Sequence, residues 1–172
     1  LYFGTGEVSE LEDAELLLHE IGHAIQDHIC NGFGVTQQAA AMGEGFSDYF
    51  AASFFAEDKP EAWKPTVMSW DGVLYGIASN ARAIGQDNGS SATFPPALRR
   101  LDEPLTAEDF DKEKYPHDNG KIWSATLWDI HRALGRETAD RIIIDSHYEL
   151  SPHTNFGRGA RAIIHADANL FG

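Results

Sequence analysis

The strongest constraint in this chain is a helical repeat that carries two histidines on one turn. Leu17, Leu18, Ile21, Ala24, Ile25 and Ile29 recur at the three- and four-residue spacing of an amphipathic helix. Inside that repeat runs His19-Glu20-Ile21-Gly22-His23. Residues four apart on a helix share a face, with Cβ atoms about 5–6 Å apart. Two imidazoles so placed can reach one tetrahedral zinc ion at roughly 2.0–2.1 Å each. Glu20 is rotated about 100° from His19. It therefore lies beside the metal rather than on it, where a general base for an activated water is needed. Ser9 and Glu12 have capping-box spacing, and Glu10, Glu12, Asp13 and Glu15 suit the positive end of a helix dipole. Asn31-Gly32 supplies a stop. The pattern predicts a first helix over about Glu10–Cys30.

A five-residue pattern arises by chance, and chance predicts no third ligand. Here one is on offer: Glu44, in Met42-Gly43-Glu44-Gly45-Phe46-Ser47-Asp48-Tyr49. A turn over Gly32–Thr36 and a second helix over about Gln37–Glu57 form a hairpin that can fold Glu44 back onto the two histidines. Two neutral imidazoles and one carboxylate leave a net charge of +1 on zinc and an open fourth position, where water has a pKa near 7. Asp48, one turn beyond Glu44, can take the outer N–H of a ligand histidine and fix its tautomer. Gly43 and Gly45 each weaken a helix by about 1 kcal/mol relative to Ala. They point to a close approach by another backbone, a ligand or a small-residue contact.

The rest of the chain bounds the reading. Its 172 residues, 42% of them hydrophobic, suffice for one domain with a core. A net charge of −14 and a pI of about 4.8 argue against nucleic-acid and anionic-membrane partners. Most of the carboxylates read as a solvated surface. Cys30 is the sole cysteine, so neither an intrachain disulfide nor a thiolate zinc cage is possible. No apolar run approaches the ~20 residues of a membrane span, and no signal peptide is legible. Leu1–Thr5 reads as a short edge strand. Residues 58–116 hold six of the seven prolines and are the least regular part, with short helices expected near Ala62–Met68 and Pro96–Leu101. Further helices are expected over about Gly120–Leu134, Thr138–Leu150 with Thr138 as N-cap, and Asn155–Leu170.

The two histidine- and glutamate-bearing helices resemble those of the thermolysin-type zinc peptidases. Met42 to Tyr49 is closer still to the fungalysin family of secreted endopeptidases. So are Gly120-Lys121-Ile122-Trp123-Ser124-Ala125-Thr126-Leu127-Trp128-Asp129-Ile130, Ala139-Asp140-Arg141 and the tail from Phe156 to Asp167. The resemblance implies His19, His23 and Glu44 as zinc ligands, Glu20 as base and proton shuttle, and Asp48 behind the ligands. It also implies His117, in Pro116-His117-Asp118-Asn119-Gly120, as the donor to a tetrahedral oxyanion. Leu98-Arg99 resembles the pair that lines the primed-side pocket and holds a substrate carbonyl, although Arg100 competes with Arg99. There are departures. The substrate-binding edge strand is mostly absent, the assisting tyrosine of thermolysin has no counterpart, and the calcium-site carboxylates are few. Calcium is a second candidate cation at Asp87-Asn88-Gly89, residues that read more simply as a turn. His28, His131, His147, His153 and His165 show no ligand pairing.

The fold expected is mainly α: a thermolysin-like (zincin) active-site helix, a helical C-terminal lobe and a remnant N-terminal β edge strand, α+β in the complete enzyme. Residues 1–172 are expected to form one metallopeptidase catalytic domain lacking its N-terminal part, with strand and zinc helix in 1–31 and the helical lobe in 32–172. The function expected is zinc-dependent endoproteolysis of peptide or protein substrates. The longer chain would carry a propeptide or N-terminal lobe and, by resemblance, be secreted. The rivals are a zinc aminopeptidase-type hydrolase and a metal-binding fragment without turnover.

Overall fold

A computed structural model describes residues 12–70 and 97–172. Its elements are α1 (Ala14–Ile29), α2 (Gln37–Phe55), β1 (Thr66–Val67), β2 (Arg99–Arg100), α3 (Pro116–Leu134), α4 (Arg136–Ser146) and α5 (Phe156–Phe171), with single 3₁₀ turns at Glu61–Trp63, Ala107–Asp109 and His147–Glu149. The chain is thus mainly helical with one small antiparallel sheet among the described residues, in which Thr66 faces Arg100 and Val67 faces Arg99. The expected strand Leu1–Thr5, the Ser9 cap and Asp87-Asn88-Gly89 lie outside the described residues.

Capping chemistry sets the helix limits. α1 begins at Ala14, later than expected, because the Asp13 carboxylate accepts from Glu15 N (2.9 Å) and Leu16 N (3.3 Å) and fills the N-cap role. Thr36 caps α2 by accepting from Ala39 N at 3.0 Å, and Asn155 caps α5 by accepting from Arg158 N at 3.0 Å. α3 starts at Pro116, four residues before the expected Gly120, since proline's missing N–H costs nothing in a first turn. Gly135, at φ +79°, ends α3 and opens α4 at once. Thr138 is therefore inside α4 rather than its cap.

The helices expected near Ala62–Met68 and Pro96–Leu101 give way to the 3₁₀ turn and the β1–β2 pair. Pro65 has no N–H to continue a helix, and β-branched Thr66 and Val67 favour extended backbone. Leu101 N donates to Pro65 O (2.8 Å), and Leu98 N to Val67 O (3.2 Å), which seats β2 against β1. Glu15, buried at the start of α1, pairs with Lys59 and accepts from Ser69 N at 3.2 Å. Lys59 Nζ also donates to Thr66 O at 2.7 Å. The sheet is thereby tied to the histidine-bearing helix.

α2 is the centre of the molecule. Met42, Phe46, Tyr49, Ala51 and Ala52 are all buried, and both α1 and α3 pack on it, Gly22 against Ser47 and Gly120 against Gly45. A helix buried nearly all round shows no polar stripe, and α2 has none. Leu127, Ile142, Ile143 and Phe156 complete the core with Trp123, whose ring stacks on Phe156 at 5.9 Å. Each large apolar side chain so buried contributes about 1.5–3 kcal/mol. Beyond Asp48, Asp140 accepts from Tyr49 Oη and Ser53 Oγ, both at 2.7 Å, and so pins the far half of α2 to α4.

Candidate metal centre

α1 and α2 cross where Gly22 meets Ser47: a Cβ on Gly22 would stand 2.9 Å from Ser47 Cα. That approach brings His19, His23 and Glu44 to one point. His19 Nε2 lies 3.1 Å from His23 Nε2 and 3.3 Å from Glu44 Oε2, and His23 Nε2 lies 3.6 Å from Glu44 Oε1. Atoms about 2.0–2.1 Å from a tetrahedral zinc ion are about 3.3–3.4 Å from one another. The three observed separations bracket that value, so the residues present fit the ion.

The electrostatics agree. Asp48 is fully buried, and its Oδ1 lies 2.8 Å from His19 Nδ1. That contact keeps the proton of a neutral His19 on Nδ1 and turns the Nε2 lone pair toward His23 and Glu44. The two imidazole nitrogens and the carboxylate facing one another at these distances are a donor set that could hold a metal ion. Burial disfavours a charged His19, but Asp48 and Glu44 outweigh it and carry its pKa up to about 9. Burial likewise opposes ionisation of Glu44, yet His19, His23 and His117 hold its carboxyl well below the usual carboxylate range.

Arg99 sits behind Asp48. Its Nε and Nη2 donate to Asp48 Oδ2 and Oδ1, both at 2.6 Å, and its side chain is 11% exposed. Arg99, Asp48 and His19 thus form one line into the centre. Arg100 pairs instead with Asp102 on the surface, which separates the two arginines that the sequence leaves in competition. Leu98, at the head of β2, keeps 41% of its surface exposed. His117, in the first turn of α3, has Nε2 at 3.3 Å from Glu44 Oε2 and a side chain 59% exposed. It therefore stands on the open side of the centre. Glu20 is half-buried, and its side chain makes no hydrogen bond or ion pair among the described residues.

Some neighbours had no local signal. Gln26 Nε2 lies 2.9 Å from His147 Nε2, across 121 positions of sequence, and both side chains are buried. His147 Nδ1 donates to Ile143 O at 2.8 Å, which leaves Nε2 as the acceptor for Gln26. The close approaches suggested by Gly43 and Gly45 do occur. A Cβ on Gly43 would stand 3.1 Å from Gln26 Oε1 and 3.9 Å from the His23 ring, and one on Gly45 would stand 2.5 Å from Gly120 O.

Comparison with known proteins follows the same residues. The sequence pattern of the fungalysin metallopeptidase family (M36) matches residues 8–138. Similar proteins include the extracellular metalloproteinase 2 of Trichophyton tonsurans and that of Arthroderma benhamiae, each 22% identical over 92% of this chain. The extracellular metalloproteinase 2 of Trichophyton rubrum is 21% identical over the same share. The chain spans 27% of the length of these relatives.

Proposed function

The chain belongs to the fungalysin metallopeptidase family, and from that footing we propose that it forms the active centre of a secreted zinc-dependent endopeptidase. The observation that carries this reading is the spacing of the His19, His23 and Glu44 ligand atoms, 3.1–3.6 Å apart. In this reading those three residues hold zinc. The bound ion supplies Lewis acidity, polarising a carbonyl and bringing the pKa of a water near 7.

The chain's own residues do the rest. Asp48 fixes the tautomer of His19. Glu20, rotated about 100° from His19 on α1 and free of partners among the described residues, takes the proton of the attacking water. It then delivers that proton to the departing amine. His117, on the open side, donates to the oxygen that gains negative charge in the transition state, a contribution of about 3–4 kcal/mol. Leu98 offers apolar surface to a substrate side chain. Arg99 reaches a substrate carbonyl through Nη1, the guanidinium nitrogen that Asp48 does not hold.

The test combines metal analysis of the purified protein with digestion of peptides blocked at the N-terminus. One zinc per chain, chelator-sensitive internal cleavage, and a loss of about 10²–10⁴-fold in Glu20→Gln with zinc retained are expected. Blocked peptides left intact while free ones are trimmed would identify an aminopeptidase. Zinc bound with no turnover of any peptide would identify a non-catalytic metal-binding protein. Absence of zinc would refute all three.

A further inference from the structure

Resting on that reading, we propose that Asn119 and Gly120 are positioning residues that hold Glu44 and His117 in a common geometry. The two functional side chains come from different helices, and the crossing of α2 on α3 relates them. At that crossing there is no room for a side chain on either helix. A Cβ on Gly45 would stand 2.5 Å from Gly120 O and 2.8 Å from Ser124 N, both backbone atoms. A Cβ on Gly120 would stand 2.8 Å from Glu44 Cβ, 3.1 Å from Gly45 N and 3.2 Å from Ala41 O. Gly120 is three residues after His117 and so lies on the same face of α3. The surface that supports Glu44 is therefore one helical turn from the histidine that faces it at 3.3 Å.

Asn119 secures the other side of His117. Its side chain is 3% exposed. Its Oδ1 accepts from Asp111 N at 3.1 Å, and its Nδ2 donates to Asp111 O at 2.8 Å and Lys114 O at 3.4 Å. These bonds staple the loop before Tyr115 onto the first turn of α3. That turn has no side-chain cap, because Tyr115 occupies the N-cap without a hydrogen bond from its side chain. The carboxamide of Asn119 thus does from within the helix what a cap does from outside it. Gly120 sets the lateral distance from His117 to Glu44, and Asn119 sets the direction of the turn that presents His117.

The two residues make separable predictions. An ordinary contact in place of the 2.8 Å approach requires Glu44 to move by nearly 1 Å, a displacement that costs up to about 10²-fold in rate. Gly120→Ala is expected to lower kcat by that order, weaken cobalt binding in chelator competition by at least tenfold, and change the visible spectrum of the cobalt-loaded protein. Asn119→Ala leaves the Glu44 contact in place. It is expected to lower kcat at least tenfold while cobalt affinity, spectrum and KM stay as in the wild type. Gly159→Ala is the packing control: its Cβ would press on the Met42 methyl at 2.4 Å and the Trp123 ring at 2.7 Å. It is expected to lower the melting temperature without altering the cobalt spectrum or the kcat of the folded protein.

All measurements use the naturally produced polypeptide, with rates referred to the folded fraction. A Gly120→Ala protein with wild-type kcat and cobalt spectrum would overturn the proposal, as would an Asn119→Ala protein with wild-type kcat. If Gly120→Ala does not fold, Asn119→Ala decides alone. A wild-type protein that binds no zinc or cobalt refutes the peptidase reading itself, a result distinct from either variant behaving like a wild type that does bind.

Discussion

Asp48→Asn isolates what a buried carboxylate does behind the centre. Asp48 is 1% exposed in its side chain and faces an Arg99 guanidinium only 11% exposed, with two contacts of 2.6 Å. Opposite charges about 4 Å apart centre to centre, at an effective dielectric near 20, attract by about 4 kcal/mol. Breaking a buried pair by removing one partner typically costs about 3–5 kcal/mol, because the other charge is left uncompensated. Glu44 and Asp118 also act on Arg99, which places the expected loss near the lower end, about 3 kcal/mol. In a chain of this size that lowers the melting temperature by about 6–12 °C. The assay is urea unfolding of chelator-treated protein, so that bound metal does not mask the change. Asp48→Asn combined with Arg99→Met removes the stranded charge and is expected to recover at least half of the loss. Zinc affinity is expected to fall about 10–100-fold in both variants, because His19 loses its carboxylate partner. A single-variant loss below about 1 kcal/mol, or a double variant no more stable than the single, would refute the reasoning.

Four further outcomes follow from particular contacts. Burial pushes the His147 pKa down to about 4, below the value near 6.5 of an unfolded chain. The unfolded state then binds the extra proton, so stability is full above about pH 6.5 and falls on the order of 3 kcal/mol as pH drops to about 4; His147→Gln is expected to flatten that part of a stability–pH curve. Gly22→Ala would put a Cβ 2.9 Å from Ser47 Cα; a net loss of about 1–2 kcal/mol, overpacking outweighing the helical preference for Ala, is expected in thermal denaturation. Tyr49→Phe removes the 2.7 Å hydrogen bond to Asp140 and is expected to cost about 1–2 kcal/mol in the same measurement. Zinc at about a hundred times its Kd is expected to stabilise the protein by about 2.7 kcal/mol, and His23→Ala to abolish that shift.

Much of the centre is legible one element at a time. His19, Glu20 and His23 declare themselves because their relation is a property of a single helix, whose rise and twist are the same in every fold. Glu44 and Asp48 are legible for the same reason, once a short turn is seen to fold the second helix back. The errors fall where a local rule had a competitor. Glu10 reads as the first residue of the zinc helix, but Asp13 accepts from Glu15 N and Leu16 N and takes the N-cap, so α1 begins at Ala14. Thr138 is a good capping residue, but the positive φ of Gly135 starts α4 before it. Pro96–Leu101 reads as a short helix, yet its described end pairs as a strand with Thr66–Val67, a partner about thirty positions away that no local window contains.

The pair His19 and His23 determines a good deal by itself. It implies a helix, two imidazoles on one face of it and a carboxylate beside that face, all through local periodicity. The tertiary structure decides the rest. It sets which arginine stands behind Asp48, that Gln26 meets His147 rather than solvent, that Gly45 meets Gly120, and that Glu44 lies 3.3 Å from His117. These relations join residues from separate elements. They are fixed by how closely helices can pack and by which buried polar groups must find partners, and neither is written in the spacing of residues along one chain segment.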